Sequence, residues 1–423
     1  MYAKKMEVLS MKGKKVLQLG LGMQGKAALY DIVKSKSVAE VIVADSSPDS
    51  AKYIAKIGSE KVKLVSLDAN NTSAIKELMK NVDIVIELLP NTFAYPIGQL
   101  AAELGVNLVS SSYFSNINEK DAQKRQQREK ELKNLHQEAQ KKDISLLCEF
   151  GMDPGIDLIL SKQVINELDE VQVFYSYGAG FPDKDAGNNP IHYKFTWSIA
   201  GVLGSYLRSA RIISKGKSID IKAEDMFAPE NSHVLNLDEI GFPLECFANG
   251  DSEHYASLLG IKNKVFNMGR YICRWTGHGA FWYVMAKSGL IDSNPVEVNG
   301  IKISPNRFVA EILASQKQFY YGDKERDVAL IRIDGRGLKN GKPTRIIYQI
   351  IDKRDLETGF TSMQRTVGFT ASIGAQMVLD GILNKKGLLS PMDVPFDYFL
   401  NELEKRDMDI RRMEFEWKGE MEP

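Results

Sequence analysis

The sequence predicts an α/β fold: a doubly wound parallel sheet with an inserted α+β domain built on a mostly antiparallel sheet. Three observations predict it. Up to Gly151, short apolar runs alternate with helical stretches. Beyond Gly151 the runs lengthen, alternate polar with apolar, and are joined by Asn-Gly pairs. A helical stretch, Arg365–Leu383, then offers the chain a route back to the first domain. The expected domains are 1–152 for the doubly wound part, 153–361 for the inserted α+β part, and 362–423 for a helical return.

Six strand candidates come first: Lys15–Gly20, Val41–Asp45, Val62–Asp68, Val82–Leu89, Val106–Ser111 and Ile144–Glu149. Each is short, β-branched and barely alternating, as strands covered on both faces are. Helices are expected between them, for example Gln24–Lys34 and Asn118–Lys142. The second carries a dense charge run from Glu119. Leu132, Leu135 and Ala139 nevertheless lie one helical turn apart, which makes a single apolar stripe on a solvated crossover helix. Strands joined by helices in this way imply a parallel sheet. Val171–Tyr177 and Val265–Trp275 open the second pattern. Hairpins are expected at Asn299-Gly300 and Asn340-Gly341, because a type I′ turn needs positive φ at both central residues.

Composition bounds the function. With 55 Lys+Arg against 55 Asp+Glu, no net charge recommends nucleic acid or an anionic membrane as partner. Hydrophobic content of 43% with 26% charged residues describes a globular chain and excludes wholesale disorder. No uncharged apolar run has the length of a membrane span. The start is basic without the apolar stretch of a signal peptide. Cys148, Cys246 and Cys273 show no metal-ligand spacing. A zinc module and a disulfide scaffold are not expected, and a reducing cytoplasm is.

Gly20-Leu21-Gly22-Met23-Gln24-Gly25 follows the first strand and opens the first helix, and Asp45 ends the second strand twenty residues beyond Gly25. That context is the dinucleotide-binding, or Rossmann, fingerprint. Gly20 permits the turn, Gly22 lets backbone approach a pyrophosphate, and Gly25 lets the helix pack on the sheet. The helix N-terminus then offers N–H groups to phosphate. Asp45, followed by Ser46, suits ribose hydroxyls and repels a 2′-phosphate. NAD is therefore expected, with NADP as the other candidate. Ligands of such sheets lie beyond the carboxyl ends of the strands. This adds Asp68 and Ala69 toward the adenine, Leu88, Leu89 and Pro90 toward the pyrophosphate, and Ser110 and Ser111 toward the nicotinamide. Met152 and Asp153 join them from the sixth strand's end.

Two polar clusters follow: Gly151-Met152-Asp153-Pro154-Gly155-Ile156-Asp157, and Asn189-Pro190 with Tyr193-Lys194 and Trp197-Ser198. Together with Ser111-Ser112-Tyr113, these stretches resemble the saccharopine dehydrogenase family along essentially the whole chain. The resemblance implies a Rossmann domain, an inserted domain carrying dimer contact, and hydride transfer at the carbon–nitrogen bond of a lysine-derived amino acid. The expected reaction is saccharopine to glutamate and 2-aminoadipate semialdehyde. Two departures bear on the substrate. Ala248-Asn249-Gly250-Asp251-Ser252 stands where the glutamate-forming enzymes have Asn-Arg-Asp-Ser, and Tyr177-Gly178-Ala179-Gly180 replaces their Tyr-Cys-Gly-Gly. Gly277-His278 looks more like the lysine 6-dehydrogenases, which makes oxidative deamination of lysine the alternative.

Asp153 is a candidate proton acceptor, or a helix cap. Lys194 is a candidate for carboxylate binding or for lowering a neighbour's pKa, or a surface lysine. His278 is a candidate acid/base because imidazole titrates near neutrality, or a structural histidine. Ser112, Tyr113, Asn189, Tyr193 and Trp197 are expected to line the substrate pocket. A half-buried Arg274 needs a partner, either a substrate carboxylate or a structural acid. A non-catalytic NAD-binding sensor is the competing class.

Overall fold

Residues 13–115, 119 and 121–423 are described by the computed structural model. The basic start and the first residues of the helix expected from Asn118 lie outside them. The chain divides into two units, Met1–Ile156 with Gln364–Arg406, and Asp157–Met363 with Asp407–Pro423.

In the first unit, six parallel strands run in the order 3-2-1-4-5-6: β1 (Lys14–Leu19), β2 (Val38–Asp45), β3 (Val62–Ser66), β4 (Ile84–Glu87), β5 (Asn107–Ser110) and β6 (Ser145–Leu147). The direction of strand order reverses between β1 and β4, so their carboxyl ends flank the crevice where such sheets bind ligands. Val16, Leu17, Val41, Val43, Ile84, Val85, Leu108 and Val109 are all fully enclosed, which is why these runs do not alternate. A seventh parallel strand, Gly387–Leu389, pairs with β6. Three residues are too few for a periodicity to show. The charged crossover helix spans Ala122–Lys141, with Leu135 and Ala139 buried on its apolar stripe.

The returning segment is held to the first helix, α1 (Met23–Ile32). Arg365–Phe369 forms one π-helical turn. A Cβ on Gly368 would come within 2.5 Å of the Gln24 carbonyl, so glycine permits the approach. Asp31, buried at the far end of α1, accepts from Ser372 Oγ at 2.7 Å and from Arg406 Nε and Nη2 at 2.8 Å each.

The second unit is a nine-stranded sheet. Its centre is Glu170–Pro182, paired parallel with Asn267–Trp275 on one side and antiparallel with Asp327–Lys339 on the other. Both expected hairpins form. Asn299 and Gly300 have φ of 51° and 80°, and Asn340 and Gly341 have 52° and 71°, the signs a type I′ turn requires. The chain's end departs from the expectation of a helical return through 423. Ile410–Glu416 instead pairs antiparallel with Lys342–Lys353 and becomes an edge strand of this second sheet.

Breaking the Asp31–Arg406 pair tests the attachment of the return to α1. Asp31→Ala leaves a largely buried guanidinium with Glu402 Oε2, 2.7 Å away, as its remaining carboxylate partner. The expected loss is about 3 kcal/mol, the low end for a broken buried pair because Glu402 stays. Urea unfolding of the variant against the parent measures it.

Candidate functional site

The glycine turn of the first unit is built by close approach. Gly20 has φ +94°, and a Cβ there would lie 2.7 Å from the Leu88 carbonyl. A Cβ on Gly25 would lie 2.3 Å from the Gly20 carbonyl. Buried Gln18 ties the two together, its Nε2 donating to the Gly20 and Gly25 carbonyls at 2.9 and 2.8 Å. Gly22 differs. Nothing lies within 4 Å of its absent side chain, and no side chain caps α1 at this residue. That open approach to a helix N-terminus fits a pyrophosphate. Leu21 is buried beneath the turn, while Met23 is exposed and Gln24 half-buried at its rim.

Asp45 sits at the end of β2 and accepts from Leu21 N–H, Ser47 N–H and Ser50 Oγ, each at 2.7 Å. These bonds fix its carboxylate beside the turn. A crevice is lined by Leu19, Ala44, Asp45, Ser46, Leu67, Ala69, Ile75 and Leu89. It brings together Asp45, Ser46, Ala69 and Leu89 from the sequence-predicted set and suits an adenosine moiety, with apolar walls and one carboxylate. Leu67 and Ile75 were missed because they read as ordinary core. Asp68 is not in the lining; it is exposed, and its carboxylate accepts from Asn70 N–H and Nδ2 at 2.9 Å.

The next strand ends are linked to one another. Glu87 ends β4 fully buried, accepting from Ser110 Oγ at 2.5 Å and from Leu89 N–H at 2.8 Å. Ser110 Oγ in turn accepts from Ser112 N–H at 3.1 Å. Tyr113 N–H donates to Asn91 Oδ1 at 3.0 Å, and Glu149 N–H to the Ser112 carbonyl at 3.1 Å. Leu88, Pro90, Ser111, Ser112 and Tyr113 thus belong to turns braced by hydrogen bonds. Burial pushes the Glu87 carboxyl up to about 7, against the lowering effect of Ser110 and Leu89. Sequence reasoning passed over Glu87, although a carboxylate inside an otherwise apolar strand was the available signal. Gly151 and Gly155 cross so closely that a Cβ on Gly155 would lie 2.0 Å from the Gly151 carbonyl. Half-buried Asp153 lies in the turn between them, after buried Met152.

The second unit gathers an aromatic and cationic cluster. Arg274 is 6% exposed and arises from the strand Asn267–Trp275. Its Nη1 donates to the Cys273 carbonyl at 2.8 Å, its Nε to Tyr206 Oη at 3.4 Å, and its guanidinium lies 5.0 Å from the Tyr193 ring centre. Among the described residues no carboxylate pairs with it. Two other cations of this unit are paired. Lys194 Nζ donates to both oxygens of Glu325, at 2.7 and 2.6 Å, and Arg270 Nη2 donates to Asp157 at 2.7 Å. Lys194 is therefore neutralised, not free to take a ligand carboxylate.

Two further sequence-predicted residues serve the frame. Asn189 is spent on backbone: its Nδ2 donates to the Tyr193 and Gln318 carbonyls, and its Oδ1 accepts from Ile191 and Tyr193 N–H. His278 is buried, with Nε2 2.9 Å from Tyr206 Oη. Burial and then the Arg274 charge hold its imidazole well below its usual range. Its surroundings thus favour the neutral imidazole. Glu245 accepts from Gly277 and Gly279 N–H at 3.0 Å each, so Gly277-His278 is a capped helix start. Trp197 is half-buried and packs on Gly201 of the helix it precedes.

Comparison with known proteins follows this division. A family model for the saccharopine dehydrogenase NADP binding domain matches residues 16–147, and one for the saccharopine dehydrogenase C-terminal domain matches 151–409. The chain is 25% identical over 440 residues to the saccharopine dehydrogenase [NADP(+), L-glutamate-forming] of Saccharomyces cerevisiae, covering 90% of this chain and 94% of that one. It is 24% identical over 433 residues to the alpha-aminoadipic semialdehyde synthase of Arabidopsis thaliana, covering 85% of this chain but 39% of that longer protein. Among solved structures, apo saccharopine dehydrogenase (L-Glu forming) from Saccharomyces cerevisiae superposes with TM-score 0.80 at 25% identity, over 95% of this chain and 100% of that one. A homospermidine synthase from Legionella pneumophila shares the fold, with TM-score 0.65 at 13% identity, over 97% of this chain and 94% of that one.

Glu87 yields a pH-dependent prediction. A carboxyl raised in the folded state adds stability in full below its unfolded value and loses it as pH rises through about 7. Glu87→Gln keeps an acceptor for Leu89 and a donor for Ser110 without the charge. The variant is expected to exceed the parent by on the order of 2 kcal/mol at pH 8, with no advantage at pH 4. Urea midpoints at the two pH values check this.

Proposed function

Because the chain belongs to the saccharopine dehydrogenase family, we propose that it oxidises saccharopine to glutamate and 2-aminoadipate 6-semialdehyde, or runs the reverse reductive condensation. The observation that carries the reading is Arg274. A guanidinium stays charged at all working pH values, and a buried one without an acidic partner is costly unless a ligand supplies the anion. A substrate carboxylate meets that need, held by a planar donor fork between the Tyr193 and Tyr206 rings.

When bound, the nicotinamide supplies the hydride acceptor. The chain's residues do the rest. Arg274 binds and orients the amino acid, and the Lys194–Glu325 pair stiffens the wall that carries Tyr193. Asp153 is proposed to take the proton that the amine releases. Loss of hydride from the carbon beside nitrogen leaves an iminium, and attack by water then releases aldehyde and amine. For the cofactor we propose NAD, although the matching family model and the yeast relative are named for NADP. Asp45 is a fixed carboxylate in the adenosine crevice with Ser46, not a cation, after it.

A second reading has its own support. Saccharopine bears three carboxylates, and with Lys194 and Arg270 already paired, Arg274 is the one cation it meets in the Tyr193–Tyr206 cluster without a carboxylate partner among the described residues. Oxidative deamination of lysine at its ε-carbon asks for less.

Direct competition separates the two. Reduced nicotinamide formed from saccharopine, with glutamate released, supports the first reading; reduction from lysine alone, with ammonia released, replaces it. Arg274→Ala is expected to raise KM for the true substrate about tenfold or more with a smaller change in kcat, because a carboxylate contact away from the reacting carbon contributes uniform binding. NAD is expected to exceed NADP in kcat/KM, and Asp45→Ser with Ser46→Arg should move that ratio toward NADP by about tenfold or more. A parent enzyme that prefers NADP overturns the cofactor assignment.

A further inference from the structure

Tyr321 ends in a hydroxyl that the fold leaves unspent. The atom is sealed from solvent and makes no hydrogen bond. Its surroundings are polar: Asp327, Tyr193, Glu325 and Arg274 all act on it electrostatically, and Lys194 Nζ lies 5.9 Å from its ring centre. Burial holds the phenol well above its ordinary pKa, so it offers a proton donor and not a base.

The loop that carries Tyr321 is bolted down. Gly322 N–H donates to Glu325 Oε2 at 2.7 Å, and Glu325 N–H to the Gly322 carbonyl at 3.2 Å. Arg354 Nη1 donates to the Gly322 and Glu325 carbonyls at 2.7 and 3.1 Å. Asp327 accepts from Ser362 N–H and Oγ at 2.8 and 2.7 Å. The Glu325 carboxylate is further held by Lys194. Lys194, Glu325 and Asp327 are all hydrogen-bonded, yet the Tyr321 hydroxyl among them is not. A buried donor without a partner is rare in a native fold, and leaving it so opposes folding. Trp282 Nε1 and His278 Nδ1 also lack partners, but their rings pack on Tyr206, with centres 5.0 and 5.6 Å away. Tyr321 is the one set among the charges of the Lys194–Glu325 wall.

We propose that Tyr321 is a substrate-binding residue whose hydroxyl donates to the ligand carboxylate held by Arg274. This rests on the reading of Arg274 as the carboxylate site. The pair recognises an amino-acid carboxylate in two ways at once, by charge through the guanidinium and by direction through a neutral O–H. Selectivity follows: a ligand without that carboxylate leaves both groups buried and unpaired, the situation in which a polar site discriminates most strongly.

The test is Tyr321→Phe in the full chain, with Arg274→Ala alongside. Saccharopine and lysine are assayed by steady-state kinetics and by calorimetric binding. For the amino acid that the parent uses, Tyr321→Phe is expected to raise KM and Kd about tenfold or more, the effect of losing one hydrogen bond to a charged group. The expected kcat stays within about twofold, since the contact is uniform in ground and transition states. Cofactor affinity stays unchanged. The melting temperature stays equal or rises, because the lost hydroxyl had no partner in the free protein. A lowered melting temperature with substrate affinity intact means a structural hydroxyl and overturns the proposal. Arg274→Ala weakening binding while Tyr321→Phe does not overturns the proposal and leaves the Arg274 reading standing. If neither variant weakens binding, or the parent binds neither amino acid, both fall.

Discussion

A charge moved out of water must be neutralised where it comes to rest, and much of this structure is arranged around that demand. Asp31 meets Arg406 and fastens the returning segment to α1. Asp157 meets Arg270, Lys194 meets Glu325, and Asp334 takes both Arg336 and Arg345. These pairs close contacts across distant sequence, from 31 to 406 and from 157 to 270. Arg274 departs from the pattern: among the described residues no carboxylate pairs with it, and its guanidinium donates to the Cys273 carbonyl and to Tyr206 Oη.

The first unit solves a different problem by steric means. An anion must reach backbone N–H groups at a helix end, and the helix must start close to its strand. Gly25 and Gly20 meet because neither has a side chain, and Gln18 stitches their carbonyls from below. Gly22 keeps the approach open. Beside this turn, Glu87 gathers Leu89 and Ser110 and so braces the ends of β4 and β5. Burial raises the pKa of that carboxyl, and its hydrogen bonds to Ser110 and Leu89 oppose the rise.

Departures from the family's motifs have local physical causes. Gly250 has φ +69°, a conformation that a side-chain-bearing arginine adopts with strain, so the backbone itself disfavours the missing residue. Gly277 has φ +92° and begins a helix capped by Glu245. Gly279 lies so near the Phe247 ring that a Cβ would come within 2.7 Å. The Gly-His pair that suggested a lysine 6-dehydrogenase thus has a sufficient structural explanation, and it carries less weight in choosing a substrate than the number of uncommitted cations.

Most of the frame was legible in the sequence because its signals are local. Apolar runs without alternation marked β1 to β6, paired positive-φ residues marked both type I′ hairpins, and glycine spacing with Asp45 marked the dinucleotide turn. The residues of the site were legible by type and not by state. Lys194, Asn189 and His278 were recognised as polar residues in telling places, yet their partners lie elsewhere in the chain: Glu325 is 131 residues from Lys194, Gln318 is 129 from Asn189, and Tyr206 is 72 from His278. Whether a cation is free or neutralised, an imidazole wet or buried, a hydroxyl used or unspent, depends on those distant contacts. The edge strand Ile410–Glu416 was misread for a related reason, since its pairing with Lys342–Lys353 is nowhere encoded nearby. The sequence by itself determined the fold class and the phosphate-binding turn, which need only short-range sterics. Tertiary structure decided which charges are paired, because electrostatic pairing is settled by what lies close in space.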